Sequence, residues 1–172
     1  MSDTIILYTG LRSNLAVRPA MHIAKEEGGH LIVVPKRHVR ERSSLSPSEL
    51  LEIEFLSIVG AHVLKAVCGA DWINYQENGN WQLGNPEKQQ MHLHIYGRKR
   101  GAKIQTFGDA LVFPKLEDKG GNWRHPTFTN EEIDAAKRTI EEVVSGQWGN
   151  AFLKEIDKLN AGGDIAFATA LF

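Results

Sequence analysis

Gln90, His92 and His94 occupy alternate positions in the run Gln90-Met91-His92-Leu93-His94-Ile95-Tyr96, and Met91, Leu93 and Ile95 stand between them. Side chains alternate faces along a β-strand, so the pattern predicts a polar row on one face and an apolar row on the other. On a helix the two histidines would diverge by about 200°. A strand therefore gathers both imidazoles while its back face joins a core. Two adjacent neutral imidazoles support two kinds of chemistry. They can share a divalent metal, or one can act as a nucleophile while the other donates toward an oxyanion or leaving group. Two histidines on a solvated sheet face fit the same spacing. A catalytic metal site also needs a third protein ligand, usually a carboxylate or another histidine. The other histidines, His22, His30, His38, His62 and His125, lie in no tight acidic cluster.

Local signals mark the elements that must position this row. Residues 30–35, HLIVVP, follow Gly28-Gly29 and form a β-branched run closed by Pro35, which predicts a buried strand opened by His30. A basic turn comes next, with Lys36, Arg37, Arg40 and Arg42 around His38. Ser46-Pro47-Ser48-Glu49 supplies an N-cap serine, a proline at the first helical position and a glutamate at the third, a capping box. Apolar residues recur at Leu50, Ile53, Leu56 or Ser57, Val63, Leu64 and Val67, and Gly69 stands where a C-terminal cap belongs. Together they predict an amphipathic helix over 47–68, carrying His62, laid against a sheet. Residues 72–76 read as a strand, 77–88 as a Gly- and Asn-rich loop, and 90–96 as the polar-row strand ending at Gly97. Beyond Arg100 the character changes: 117–126 read as a loop, and Thr129 or Asn130 caps a helix to about Val144, with Ile133, Ala136, Ile140 and Val143 on one face. A second short helix is expected over about 151–159, and the apolar tail IAFATALF is expected to dock on the core.

The whole chain bounds what this site can serve. Its 172 residues suffice for one domain with a real core and an appended segment. A hydrophobic fraction of 42% and a charged fraction of 24% are those of an ordinary globular protein. The net charge of −1 argues against a nucleic-acid polymer or a membrane surface as partner. Cys68 is the single cysteine, which excludes an intrachain disulfide and a cysteine-cluster zinc site. No charged segment followed by an apolar run opens the chain, so a cytoplasmic location is expected.

GGHLIVVPKRHV, then a capped helix, then ENGNWQLG and QMHLHIYGR resemble the histidine triad (HIT) family of nucleotide hydrolases and transferases. The first family segment, His-φ-φ-Val-φ-Pro-Lys-x-His, matches from His30 to His38. The second, His-φ-His-φ-His-φ-φ, matches with Gln90 in place of its first histidine. The resemblance covers roughly residues 20–100. It implies that His92 attacks the α-phosphorus of a nucleotide and forms a nucleotidyl-histidine intermediate, which water or another acceptor then resolves. It assigns His94 and His30 to phosphate oxygens and the leaving group, and Asn78 to the neighbourhood of the scissile bridge. Asn85 or Gln89 takes the place of a family phosphate donor, in a segment about one residue longer than the family's. Gln90 is read as a supporting residue that keeps donor and acceptor capacity but cannot titrate. His22 stands where the family often has an acidic residue for the ribose, and the paired cysteines of some members are absent.

The expected fold is α+β: a HIT-like antiparallel sheet of about five strands, one long packed helix and a mostly helical C-terminal extension. Residues 1–105 are expected to form the nucleotide-binding core, and 106–172 an extension packed on it. The expected activity is cleavage at the α-phosphate of a dinucleoside polyphosphate or a nucleoside phosphoramidate, with a purine base, no cofactor and no metal. The resemblance also implies a homodimer. Two alternatives stand beside it: a nucleotide-binding module with little turnover, and a metal-dependent enzyme using His92 and His94. The basic segments Lys36–Arg37 and Arg98–Arg100 are expected to face the substrate phosphates.

Overall fold

A computed structural model describes residues 4–18, 20–78, 85–113 and 125–161. Five strands form one antiparallel sheet: β1 (Ile5–Thr9), β2 (Ser13–Val17), β4 (His30–Pro35), β5 (Trp72–Gln76) and β6 (Leu93–Arg98). Their spatial order is β1-β2-β4-β6-β5, so the strand of His30 lies directly beside the strand of His94. Register pairs His30 with Tyr96 and Ile32 with His94 across that ladder. β3 (Ala20–Met21) and β7 (His125–Pro126) make a separate two-stranded ladder, so the expected 117–126 loop ends in a short strand. The rest of that loop (117–124), part of the 77–88 loop (79–84) and the tail IAFATALF lie outside the described residues.

The long helix α1 runs Pro47–Cys68, as its caps predict. The Ser46 hydroxyl accepts from the Glu49 N–H at 3.3 Å, and the Glu49 carboxylate accepts from the Ser46 N–H at 2.8 Å. The chain leaves the helix through Gly69 in the left-handed conformation, φ 66°. α1 packs on β2, β4 and β6 and is also covered by the helices α2 (Asn130–Ser145) and α3 (Gln147–Ala161). Its far side is therefore apolar too: Phe55 stacks on Trp148 and Phe152 of α3 at 5.4 and 5.0 Å. The helix is buried on two faces rather than amphipathic about one. α2 buries Ala136 and Ile140 and packs Ile133 and Val143 against the core, the face expected from its periodicity. α3 starts four residues earlier than expected and runs two further. Among the described residues no helix is long and apolar enough to cross a membrane.

The polar-row strand differs from its expected extent. Extended pairing begins at Leu93, so Gln90, Met91 and His92 precede β6 rather than belong to it. The reason lies across the ladder. Val33 pairs with Leu93, and two residues later Pro35 has no N–H to offer. Beyond it the Lys36 N–H turns to the Arg12 carbonyl at 2.7 Å, on the β2 side. Residues 90–92 are held instead by the turn after β4, through the Met91 N–H to the Val39 carbonyl at 2.6 Å.

At the other end of the ladder two glycines let the chains touch. A Cβ on Gly97 would lie 2.0 Å from the Gly28 carbonyl oxygen, and Gly28 itself has φ 130°. The Gly97 N–H donates to the Gly29 carbonyl at 3.0 Å, which locks His30 in register with Tyr96. The two nearest blocking atoms, the Gly28 carbonyl oxygen and carbon, are backbone, and the third is the rotamer-free Ala70 Cβ at 2.9 Å, so the clash cannot be relieved by a rotamer change. Gly97→Ala is expected to destabilise the protein by about 3 kcal/mol, measured by urea unfolding; a loss below about 0.5 kcal/mol would show that the ladder end yields easily.

Candidate active site

Four histidine rings and one tyrosine form a continuous stack at the β4–β6 ladder. His30 and His94 are buried, at 0% and 2% exposure, and His22 and His92 are partly exposed. His30 lies 5.0 Å from His94 and 4.6 Å from Tyr96, centroid to centroid. His22 stacks on His30 at 4.6 Å, and His92 meets His94 edge-on at 4.5 Å. Phe113 closes on the Tyr96 side, 5.3 Å from that ring.

The hydrogen bonds order the protons of these rings. A backbone N–H can only donate, and that of His22 points at His30 Nδ1, 3.2 Å away. Neutral His30 therefore carries its proton on Nε2 and donates it to His94 Nδ1 at 2.8 Å. His94 in turn carries its proton on Nε2. His92 is arranged oppositely: its Nδ1 lies 2.9 Å from the Gln90 carbonyl oxygen, which can only accept, so Nδ1 carries the proton and Nε2 a lone pair. On the outer side an Arg18 N–H faces His22 Nε2 at 3.5 Å, which leaves His22 Nδ1–H to donate to the Tyr96 hydroxyl at 3.0 Å. Asn78 Nδ2 donates to the same hydroxyl at 2.9 Å.

All four rings are held neutral. Burial is the main cause each time. It pushes His92 below the ordinary imidazole value, with the Gln90 carbonyl pulling the other way. It pushes His30 well below that value, with the neighbouring His94 adding to it. His22 falls to about 4 and His94 to about 2, the adjacent Arg18 or His92 reinforcing the effect. Burial also raises the Tyr96 hydroxyl, which stays protonated.

Of the residues singled out in the sequence, His30, His92, His94 and Asn78 converge on this stack. Gln90 lies beneath it: its side-chain amide binds the backbone of residues 35–39, and its own carbonyl meets His92. Asn85 starts a 3-10 turn over Pro86–Lys88, its carbonyl accepting from the Lys88 N–H at 3.0 Å, and Gln89 links that turn to Gln90. The basic segments have other engagements. Arg37 forms an ion pair with Glu49 at 2.8 Å, Arg98 is buried with Nη1 donating to the Asp109 carbonyl at 2.5 Å, and Arg100 sits over the Phe107 ring. Arg18, Tyr96 and Phe113 are site residues that the sequence patterns did not bring out, and His22 entered only through the resemblance, at the place of a ribose acid. Tyr96 had a signal, because it continues the 90-92-94 alternation by one step. Arg18 had none.

Ring nitrogens of His22, His30 and His94 lie within 4.8 Å of one another, a spacing that a metal ion could use. The proton order opposes it. A metal on His30 Nε2 would displace the ring's one proton to Nδ1, where it would face the His22 N–H. The arrangement sets one bare imidazole nitrogen beside an N–H donor from a buried neighbour, a pairing of nucleophile and oxyanion donor.

No family model matches the chain. Among curated proteins it is 28% identical over 148 residues to an asymmetrical bis(5'-nucleosyl)-tetraphosphatase of Schizosaccharomyces pombe, covering 74% of this chain and 79% of that protein. Among solved structures it resembles a zinc-bound histidine triad family protein from Mycobacterium smegmatis, with a TM-score of 0.58, 16% identity and coverage of 84% and 88%. A histidine triad protein from Sinorhizobium meliloti gives a TM-score of 0.55 at 23% identity, over 81% of this chain and 89% of that one. The α+β architecture is that of histidine triad proteins.

Neutral buried imidazoles have a cost in acid. The unfolded chain takes up protons below about pH 6.5, whereas the folded stack resists them, so stability is lost as pH falls from 6.5 toward the lower folded values. His30 and His94 are each expected to remove about 1.4 kcal/mol per pH unit in that window. Urea unfolding at pH 7.5, 6 and 5 measures this; a midpoint that does not move would contradict the neutral stack.

Proposed function

We propose that the protein is a histidine triad nucleotide hydrolase or transferase that cleaves at the α-phosphate of a dinucleoside polyphosphate or a nucleoside phosphoramidate, without metal or cofactor. The observation that carries this reading is the hydrogen bond from His92 Nδ1–H to the Gln90 carbonyl, 2.9 Å. It leaves Nε2 as a bare nucleophile on a ring that burial keeps neutral at pH 7. Nε2 forms a bond to phosphorus as the bond to the leaving group breaks. The ring then carries positive charge, and its Nδ1–H bond to the carbonyl becomes charge-assisted and stronger. Water oxygen next bonds to phosphorus, the phosphorus–nitrogen bond breaks, and the water proton leaves with the monophosphate or to solvent. His94, ordered by His30, offers its remaining N–H to a phosphoryl or leaving-group oxygen. Asn78, and Asn85 or Gln89, contribute amide donors around the phosphates.

The curated relative named as a tetraphosphatase supports the polyphosphate branch of this reading. A purine base, a cytoplasmic location and a core of residues 1–105 extended by 106–172 belong to the same proposal. So does a homodimer; the edge strand β5, with Trp72 and Tyr75 exposed, is an edge on which a second sheet can build.

Screening adenylated and guanylated polyphosphates and phosphoramidates for monophosphate release tests the reaction. His92→Ala is expected to lower kcat at least about a thousandfold, with nucleotide affinity changed by no more than a lost contact, about 1–3 kcal/mol. Early quenching should trap an acid-labile, base-stable nucleotidyl adduct on His92, and activity should survive exhaustive chelation. Activity that chelation abolishes and zinc restores, with no adduct by mass spectrometry, would point to the metal-dependent alternative.

A further inference from the structure

Gln90 engages both flanks of its position. Its side-chain Nε2 donates to the Pro35 and Arg37 carbonyls, each at 3.1 Å, and its Oε1 accepts from the Val39 N–H at 3.3 Å. These partners also fix which end of the amide is which. A flipped amide would set its oxygen against two carbonyls and its NH2 against an N–H. The backbone carbonyl of the same residue accepts from His92 Nδ1–H at 2.9 Å. One residue thus grips the turn after β4 with its side chain and holds the His92 ring with its main chain. This happens where the β4–β6 ladder has ended and no strand pairing remains to fix residues 90–92.

We infer that Gln90 is a positioning residue for the reaction at His92: its amide pins the turn of residues 35–39, and that grip aims the carbonyl that keeps His92 Nε2 bare and directed at substrate. The inference rests on the reading of His92 as nucleophile. An amide suits the task in a way an imidazole does not. It supplies two donors and an acceptor at once, whereas a neutral imidazole has one of each and a charged one has two donors and no acceptor. Histidine at this position loses one of the three contacts in either state. Which contact it loses changes with its protonation, so it would bring a titration into the grip that glutamine keeps out.

The test combines variants with direct observation of the unmodified protein. Gln90→His and Gln90→Glu, shown folded by their unfolding transitions, are expected to lose tenfold or more in kcat with KM within about twofold of wild type. For Gln90→Glu, the ratio of its kcat to that of wild type should rise as pH falls, because only the protonated acid can donate to the facing carbonyls. Folded variants with wild-type kcat at every pH would overturn the inference. Nitrogen-15 NMR of the wild-type protein applies whether or not the variants fold. The His92 proton should reside on Nδ1, and both Gln90 side-chain amide protons should exchange slowly with solvent. A proton on Nε2, or fast amide exchange, would equally overturn it. If no substrate turns over, the NMR result still decides the role of Gln90, while the proposed function fails separately.

Discussion

A neutral imidazole has one proton and one lone pair, and that arithmetic governs the stack between β4 and β6. The His22 backbone N–H, donating to His30 Nδ1, leaves only one proton order for His30 and His94. Because burial keeps these rings uncharged, no second proton is available to blur the order. Everything the site offers a substrate follows from it: an N–H on His94, and beside it a ring whose own order is set the other way by the Gln90 carbonyl. A charged stack would have donors everywhere and no nucleophile.

The scaffold keeps that order by two contrasting devices at the two ends of one ladder. At the Gly28–Gly97 end, backbone meets backbone so closely that side chains are excluded, and His30 is locked opposite Tyr96. At the Pro35 end, the ladder stops, and Gln90, Met91 and His92 are held by side-chain and turn contacts in its place. The rigid end carries the buried, ordering rings. The open end carries His92, the partly exposed ring whose Nε2 is bare. α1, buried between the sheet and the C-terminal helices, supports both from behind, and Glu49 of its cap ties down Arg37 in the same turn that Gln90 grips.

Charge is distributed sparingly around the site. The rings are neutral, and Arg37, Arg98 and Arg100 are turned to structural partners. Among the described residues Arg18, just after β2, is a cation that approaches the rings, through His22. The donors that the stack presents are therefore mostly neutral ones, and such donors act through preorganisation rather than net charge.

Short-range chemistry is what the sequence determined by itself. The capping box at Ser46, the left-handed exit at Gly69, the β-branched run 30–35 and the Thr129 cap are each set by residues within one turn of one another, and each element stands where its pattern puts it. The alternation of 92 and 94 likewise brings two imidazoles together, because a strand and its extended approach share one period. The tertiary structure decided what depends on residues far apart in the chain. That the polar row leaves the sheet before His92 follows from Pro35, some sixty residues earlier, lacking an N–H. That His22 joins the stack follows from its backbone reaching His30, and no periodicity encodes that contact. Which nitrogen of His92 is bare depends on a carbonyl two residues back, held in place by a turn more than fifty residues away: the residue types name the chemistry, but a proton's position is set only by what folding brings within 3 Å.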